Sequence, residues 1–215
     1  MIVVNFKTYK EATGMKAVKL ARIIRQVMDE TKVRIVAVPQ LADLRACVEE
    51  GAECWVQHVD PVVQGKNTGW VTVEDVEEAG AHGTLLNHAE HKLAWETLVK
   101  TMELISGMAF EACICAANLE EAVKIVELKP DWIAYEPPEL IGSKDKSVAS
   151  ENPDIIVKVV KAVNRPVLIG AGVHSREDVR VGLSLGAKGI LLATDVVLSA
   201  DPETELRELA QAFET

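Results

Sequence analysis

"EACICAANLEEAVKIVELKPDWIAYEP", residues 111–137, holds a complete structural unit. It begins with a short β-rich apolar run, 111–116, and passes into 118–128, where apolar residues recur at helical spacing. A second β-rich run, 132–137, follows and stops at Glu136, ahead of Pro137 and Pro138. Proline disfavours a continuing helix and removes a ladder donor from a strand, so the chain ends an element at a carboxylate. Strand, helix and strand in this order imply two parallel strands joined by a right-handed crossover.

The same pattern extends in both directions. Short apolar runs occupy 2–7, 34–39, 54–59, 83–88, 111–116, 132–137, 166–172 and 189–194. Each is followed by a stretch with helical periodicity, as at 14–30, 93–106, 118–128 and 152–163. The last helix starts at Pro202, directly after Asp201, and Gly51, Gly80 and Gly186 stand where helices should stop. Eight such pairs predict an α/β fold, a closed (β/α)8 TIM barrel of eight parallel strands with outer helices, as a single domain over 1–215. The alternative is an open doubly wound sheet. No strong G-x-G-x-x-G motif opens a first strand–helix turn to favour it.

Composition narrows the function classes. Hydrophobic residues make up 48% and charged residues 26% of 215, an ordinary globular balance, while the formal charge is −10. So acidic a chain is a poor partner for nucleic acid or an anionic membrane; an anionic small molecule needs a locally positive site. Asn5 and Lys7 interrupt the opening apolar run, and no run approaches the roughly 20 residues that span a bilayer, so a cytoplasmic protein is expected. Cys47, Cys54, Cys113 and Cys115 are too few for a disulfide framework. Cys113 and Cys115 share one strand face without nearby metal ligands, and read as buried structural thiols.

Chemistry in such a barrel gathers at the C-terminal strand ends. Asn5 and Lys7 close the first run; Asn87, His88 and Glu90 the fourth; Glu136 the sixth; Gly170 and Gly172 the seventh; Ala193 and Thr194 the eighth. Alone, each has an ordinary reading as a solvated charge, a hydrogen-bonded core histidine, a loop acid or a turn glycine. Together they supply a cation, an imidazole, an acid and closely approaching backbone. Those parts can hold a phosphorylated carbonyl compound and move a proton beside its carbonyl.

Six stretches make the reading specific: "VNFKTY" (4–9), "TGWV" after "GKN" (65–71), "LLNHAEH" (85–91), "AYEPPELIG" (134–142), "IGAGV" (169–173) and "GILLAT" (189–194). Over essentially its whole length the chain resembles the triosephosphate isomerase family in its short archaeal form. The resemblance implies cofactor-free interconversion of dihydroxyacetone phosphate and D-glyceraldehyde 3-phosphate. It implies that Glu136 is the base, His88 a neutral electrophile and Lys7 the offsetting cation. Asn5 and Phe6 then adjoin the substrate and Glu90 supports the lysine. Ile141, Gly142, Gly172, Ala193 and Thr194 hold or close over the phosphate. "PPELIG" reads as a lid that excludes water, with Gly142 as a closing donor. A homo-oligomer is implied, dimeric at least and often tetrameric, with 65–71 at the interface, Thr68 inserted into a neighbour and Trp70 an apolar anchor. Rival readings are another phosphate-binding barrel, such as an isomerase of aromatic amino-acid synthesis, and a non-catalytic metabolite binder or assembly partner.

The chain departs from the family pattern at several positions. Ala89 replaces a usual serine, Trp70 and His91 replace an acid and an arginine, "SKDKS" follows Gly142, and Asp195 replaces a glycine after Thr194. A carboxylate beside a phosphate site is expected to point away, capping the next helix or meeting a subunit.

Overall fold

The computed structural model describes residues 1–140 and 151–214. Its strands are β1 (Ile2–Asn5), β2 (Ile35–Val38), β3 (Glu53–Val56), β4 (Ala81–Leu86), β5 (Glu111–Ala116), β6 (Trp132–Tyr135), β7 (Val167–Ile169) and β8 (Gly189–Leu192). They close into a barrel in sequence order, β8 returning to β1, and every pairing is parallel. Closure rules out the open sheet. The intervening helices are α1 (Met15–Thr31), α2 (Leu44–Glu49), α3 (Val73–Glu78), α4 (Trp95–Ile105), α5 (Leu119–Ile125), α6 (Pro153–Val163) and α7 (Arg176–Ser184). A short α8 (Thr194–Val197) and then α9 (Pro202–Ala210) follow β8.

The strands are continuous apolar runs because both faces are buried. Val3, Val36, Val38, Cys113, Cys115, Leu168 and Leu191 belong to a cluster inside the barrel. Their neighbours Ile2, Val4, Ile35, Ala37, Ile114, Ile169 and Ile190 join the larger cluster that packs under the helices. The two-residue period of a strand produces this division. Cys113 and Cys115 therefore share the inner face, and all four cysteines are buried and free.

Trp55, fully buried, is the bulkiest inner side chain. Gly83 on the adjacent β4 makes room for it: a β-carbon there would lie 2.8 Å from Trp55 Nε1 and 2.5 Å from the Glu111 carbonyl oxygen.

Helix starts and stops follow the local chemistry. Thr72, Asn118, Ser175 and Asp201 each accept the backbone N–H three residues ahead, capping α3, α5, α7 and α9. Gly80 ends α3 at φ +97, where a β-carbon would also strike Val48 Cγ1 at 2.6 Å.

Strand ends differ from the sequence reading in a way that shapes the site. The first run ends its ladder at Asn5, and the fourth at Leu86, earlier than 7 and 88. Lys7 has φ +47 and Asn87 φ +59, left-handed conformations that no strand continues. Each chain turns there, just where chemistry-bearing side chains follow.

Candidate active site

At the C-terminal end of the barrel lies a cavity of about 350 Å³. Asn5, Lys7, His88, Glu136, Gly172, Ala193 and Thr194 line it, so the fold brings together seven of the nominated residues. Phe6, also nominated, follows the last residue of β1 and has its side chain fully buried in the larger cluster under the helices. Ile141 and Gly142, with the lid they were expected to form, lie outside the described residues.

Lys7 is fixed from several sides. Its backbone N–H donates to Asn5 Oδ1 at 2.9 Å, which stabilises the left-handed turn. Its carbonyl accepts from Gln57 Nε2 at 2.9 Å, from the loop after β3. Its Nζ donates to Glu90 Oε1 at 2.7 Å. The lysine side chain is 15% exposed and the glutamate 56%, so the cation faces inward and the acid sits at the rim.

Asn87 has a structural task. Its Nδ2 donates to the Cys115 carbonyl and to Glu121 Oε1, and its Oδ1 accepts from Leu93 N–H. These bonds hold the end of β4 against β5 and present the next residue, His88. The Glu90 backbone N–H donates to His88 Nδ1 at 3.1 Å. A backbone amide can only donate, so Nδ1 is unprotonated and the ring is neutral with its proton on Nε2. That Nε2 lies 3.7 Å from Glu136 Oε2.

Glu136 follows β6, its backbone N–H bonded to the Ala116 carbonyl at 2.9 Å. The side chain is buried, and Oε2 has no hydrogen-bond partner. Burial pushes its carboxyl above the usual value; His88, a hydrogen bond with the Cys115 thiol and Lys7 oppose the rise, and Glu90 adds to it. A buried carboxylate with one free oxygen and a raised proton affinity is equipped to remove a proton from carbon. The chain then leaves through a 3-10 turn, Pro138–Leu140.

The opposite wall comes from the ends of β7 and β8. Ala171 (φ +62) and Gly172 (φ +74) form a left-handed pair after β7. Thr194 opens α8 after Ala193, and its Oγ1 lies 3.3 Å from Tyr9 Oη. Asp195 also lines the cavity. It does not cap: Ala193 is the N-cap of α8, without a side-chain cap bond. Asp195 Oδ1 lies 2.8 Å from His174 Nδ1 instead.

Gln57, Cys115 and His174 are site residues that the sequence reading did not nominate. The paired spacing of Cys113 and Cys115 already placed both on one face, but nothing local showed that face to be the one beneath Glu136. His91, in the place of an arginine, sets its ring 4.6 Å from that of His58.

A sequence profile described as triosephosphate isomerase matches residues 1–212. A triosephosphate isomerase of Methanothermus fervidus is 41% identical, covering 97% of this chain and 96% of the relative. One of Methanocaldococcus jannaschii is 36% identical over 97% and 98%, and one of Methanosarcina acetivorans 38% over 97% and 96%.

Proposed function

The chain belongs to the triosephosphate isomerase family, and from that membership and the cavity's geometry we propose how its residues carry the reaction. The protein is a cofactor-independent isomerase that interconverts dihydroxyacetone phosphate and D-glyceraldehyde 3-phosphate. Glu136 is the base. Its carboxylate takes a proton from the carbon beside the carbonyl, leaving the electron pair in an enediolate. His88 donates through Nε2–H to the substrate oxygens, where that charge develops. It then relays the hydroxyl proton between them. Protonated Glu136 returns its proton to the neighbouring carbon, converting ketone to aldehyde with no net loss of atoms or charge.

Lys7 offsets the substrate's negative charge within a chain of net charge −10. Asn5 holds Lys7 in place, and Glu90 orients both the lysine ammonium and, through its backbone, the imidazole. Gly172, Ala193 and Thr194 receive the phosphate, with Ile141 and Gly142 closing over it. We place the reaction in sugar breakdown and synthesis in the cytoplasm, on a single barrel domain. Among the described residues no helix is long and apolar enough to cross a membrane. The working form is a homo-oligomer, tetrameric or dimeric, joined through 65–71. Trp70 at 52% exposure, Val63 at 56% and Met15 at 78% support an apolar contact.

The observation that carries the mechanism is the facing of His88 Nε2 and Glu136 Oε2 across 3.7 Å at the cavity floor. A coupled assay with glyceraldehyde 3-phosphate tests it. Glu136→Asp, which withdraws the carboxylate by about one methylene, should lower kcat on the order of a hundredfold and change KM little. An undiminished kcat would remove Glu136 from the role of base.

A further inference from the structure

His174 and Asp195 form a pair at the wall assigned to the phosphate, outside the group that performs the proton transfers. His174 follows β7 and Asp195 lies in the first turn of α8, and both line the cavity. Their side chains meet at 2.8 Å, Nδ1 to Oδ1. An ionised carboxylate only accepts, so Nδ1 carries the proton. The second ring nitrogen, Nε2, is buried and has no hydrogen-bond partner among the described residues. The His174 backbone is held too, its N–H donating to Asp178 Oδ2 at 3.2 Å.

The surroundings are acidic. Glu205 on α9 has its carboxyl raised by burial, then by Asp195 and Glu208, while His174 opposes the rise. A phosphate dianion brought to this wall would face the charge of Asp195, which lines the cavity. Repulsion of this kind grows where water is excluded. The imidazole is the group that counters it: its Nδ1–H already occupies one carboxylate oxygen.

We propose that His174 is a positioning residue for the substrate phosphate, one that holds the Asp195 carboxylate and offsets its charge toward the bound anion. The proposal rests on the isomerase reading, which assigns this wall to the phosphate. It accounts for how the wall accepts an acid at 195: the histidine and the aspartate act as one unit across the β7 and β8 loops.

The experiment compares the full-length wild type, His174→Ala, and His174→Ala combined with Asp195→Asn. KM for glyceraldehyde 3-phosphate and the competitive inhibition constant of inorganic phosphate are the readouts. His174→Ala should raise both about tenfold, with kcat falling less than KM rises, because an unpaired carboxylate then faces the anion. Adding Asp195→Asn should return both to within about threefold of wild type, since the charge needing compensation is gone. If phosphate binds His174→Ala as tightly as wild type, or the double variant stays as weak as the single one, His174 merely ties two loops together and the proposal falls. Should His174→Ala not fold, His174→Leu, which fills the space without a donor, carries the same comparison. Calorimetric titration with inorganic phosphate reads the affinity order without turnover. An inactive wild type that keeps that order would overturn the isomerase reading and leave the pair's role standing.

Discussion

Gly170 and the Glu136 carboxylate share one space: a β-carbon at 170 would lie 2.5 Å from Glu136 Cγ and 2.7 Å from its Oε1. The two residues come from the ends of β7 and β6, and the Gly170 N–H donates to the Tyr135 carbonyl at 2.9 Å. The strand therefore cannot retreat to admit a side chain without losing a ladder bond. Gly170→Ala should push the carboxylate off its position. We expect kcat to fall on the order of a hundredfold, a loss typical of misplacement by about an ångström. Steady-state kinetics check this; a kcat within about twofold of wild type would mean that Glu136 needs no such room.

Burial of Glu136 has a stability cost with a definite pH window. Its folded carboxyl is raised above the ordinary 4.5, so the folded state holds the proton more tightly than the unfolded one. The charged, buried form is penalised above the folded pKa, and the penalty vanishes below the unfolded value. Glu136→Gln should accordingly be more stable than wild type at neutral pH, and the gain should shrink as pH falls toward 4.5. Thermal melts of both proteins across that range test the sign. A gain that grew on acidification would contradict it.

Lys7→Ala should weaken binding as well as rate. It removes a cation that faces the cavity, and it leaves Glu90 without its 2.7 Å partner beside His88. Inhibition by a phosphorylated enediolate analogue is the direct readout. Affinity equal to wild type would show the electrostatic assignment to be wrong.

Trp70 is 52% exposed on the segment 65–71, the one expected to reach a neighbouring subunit. Trp70→Glu should shift the light-scattering mass toward monomer and lower activity with it, because a charge replaces an apolar anchor. A wild type that is fully active as a monomer would reject the interface.

At the opposite end of the barrel Arg34 bonds to both Glu53 and Glu111, and Trp132 Nε1 donates to Glu111 Oε2 at 2.6 Å. Arg34 also lies over the Trp55 ring at 5.8 Å. These groups are about a quarter to a third exposed, so Arg34→Met should cost only about 1–2 kcal/mol. We expect a fall in Tm of a few degrees with kcat unchanged, since the barrel's N-terminal end is remote from the site. A loss of kcat at 25 °C with the melt unaltered would argue that the floor communicates with the cavity.

By itself the sequence determined the order of elements, their parallel arrangement and the barrel end at which Lys7, His88 and Glu136 gather, though not that the strands stop before them at Asn5, Leu86 and Tyr135. Local rules suffice there: period two in strands, helical spacing between them, and prolines and glycines at the breaks. What local rules cannot say is which face of a doubly buried strand turns inward, because both faces are apolar. Closure of the barrel decided that, and with it the place of Cys115 beneath Glu136, of Trp55 opposite Gly83, and of the Phe6 side chain in the outer core. Direct pairing of β7 with β8 also brought the loop after β7 against the one after β8. His174 and Asp195 are 21 residues apart and meet only because β7 and β8 are neighbours in the closed sheet. Asp195 alone reads as a cap or a hazard to phosphate. Its partner, and so its chemistry, is a property of the tertiary structure.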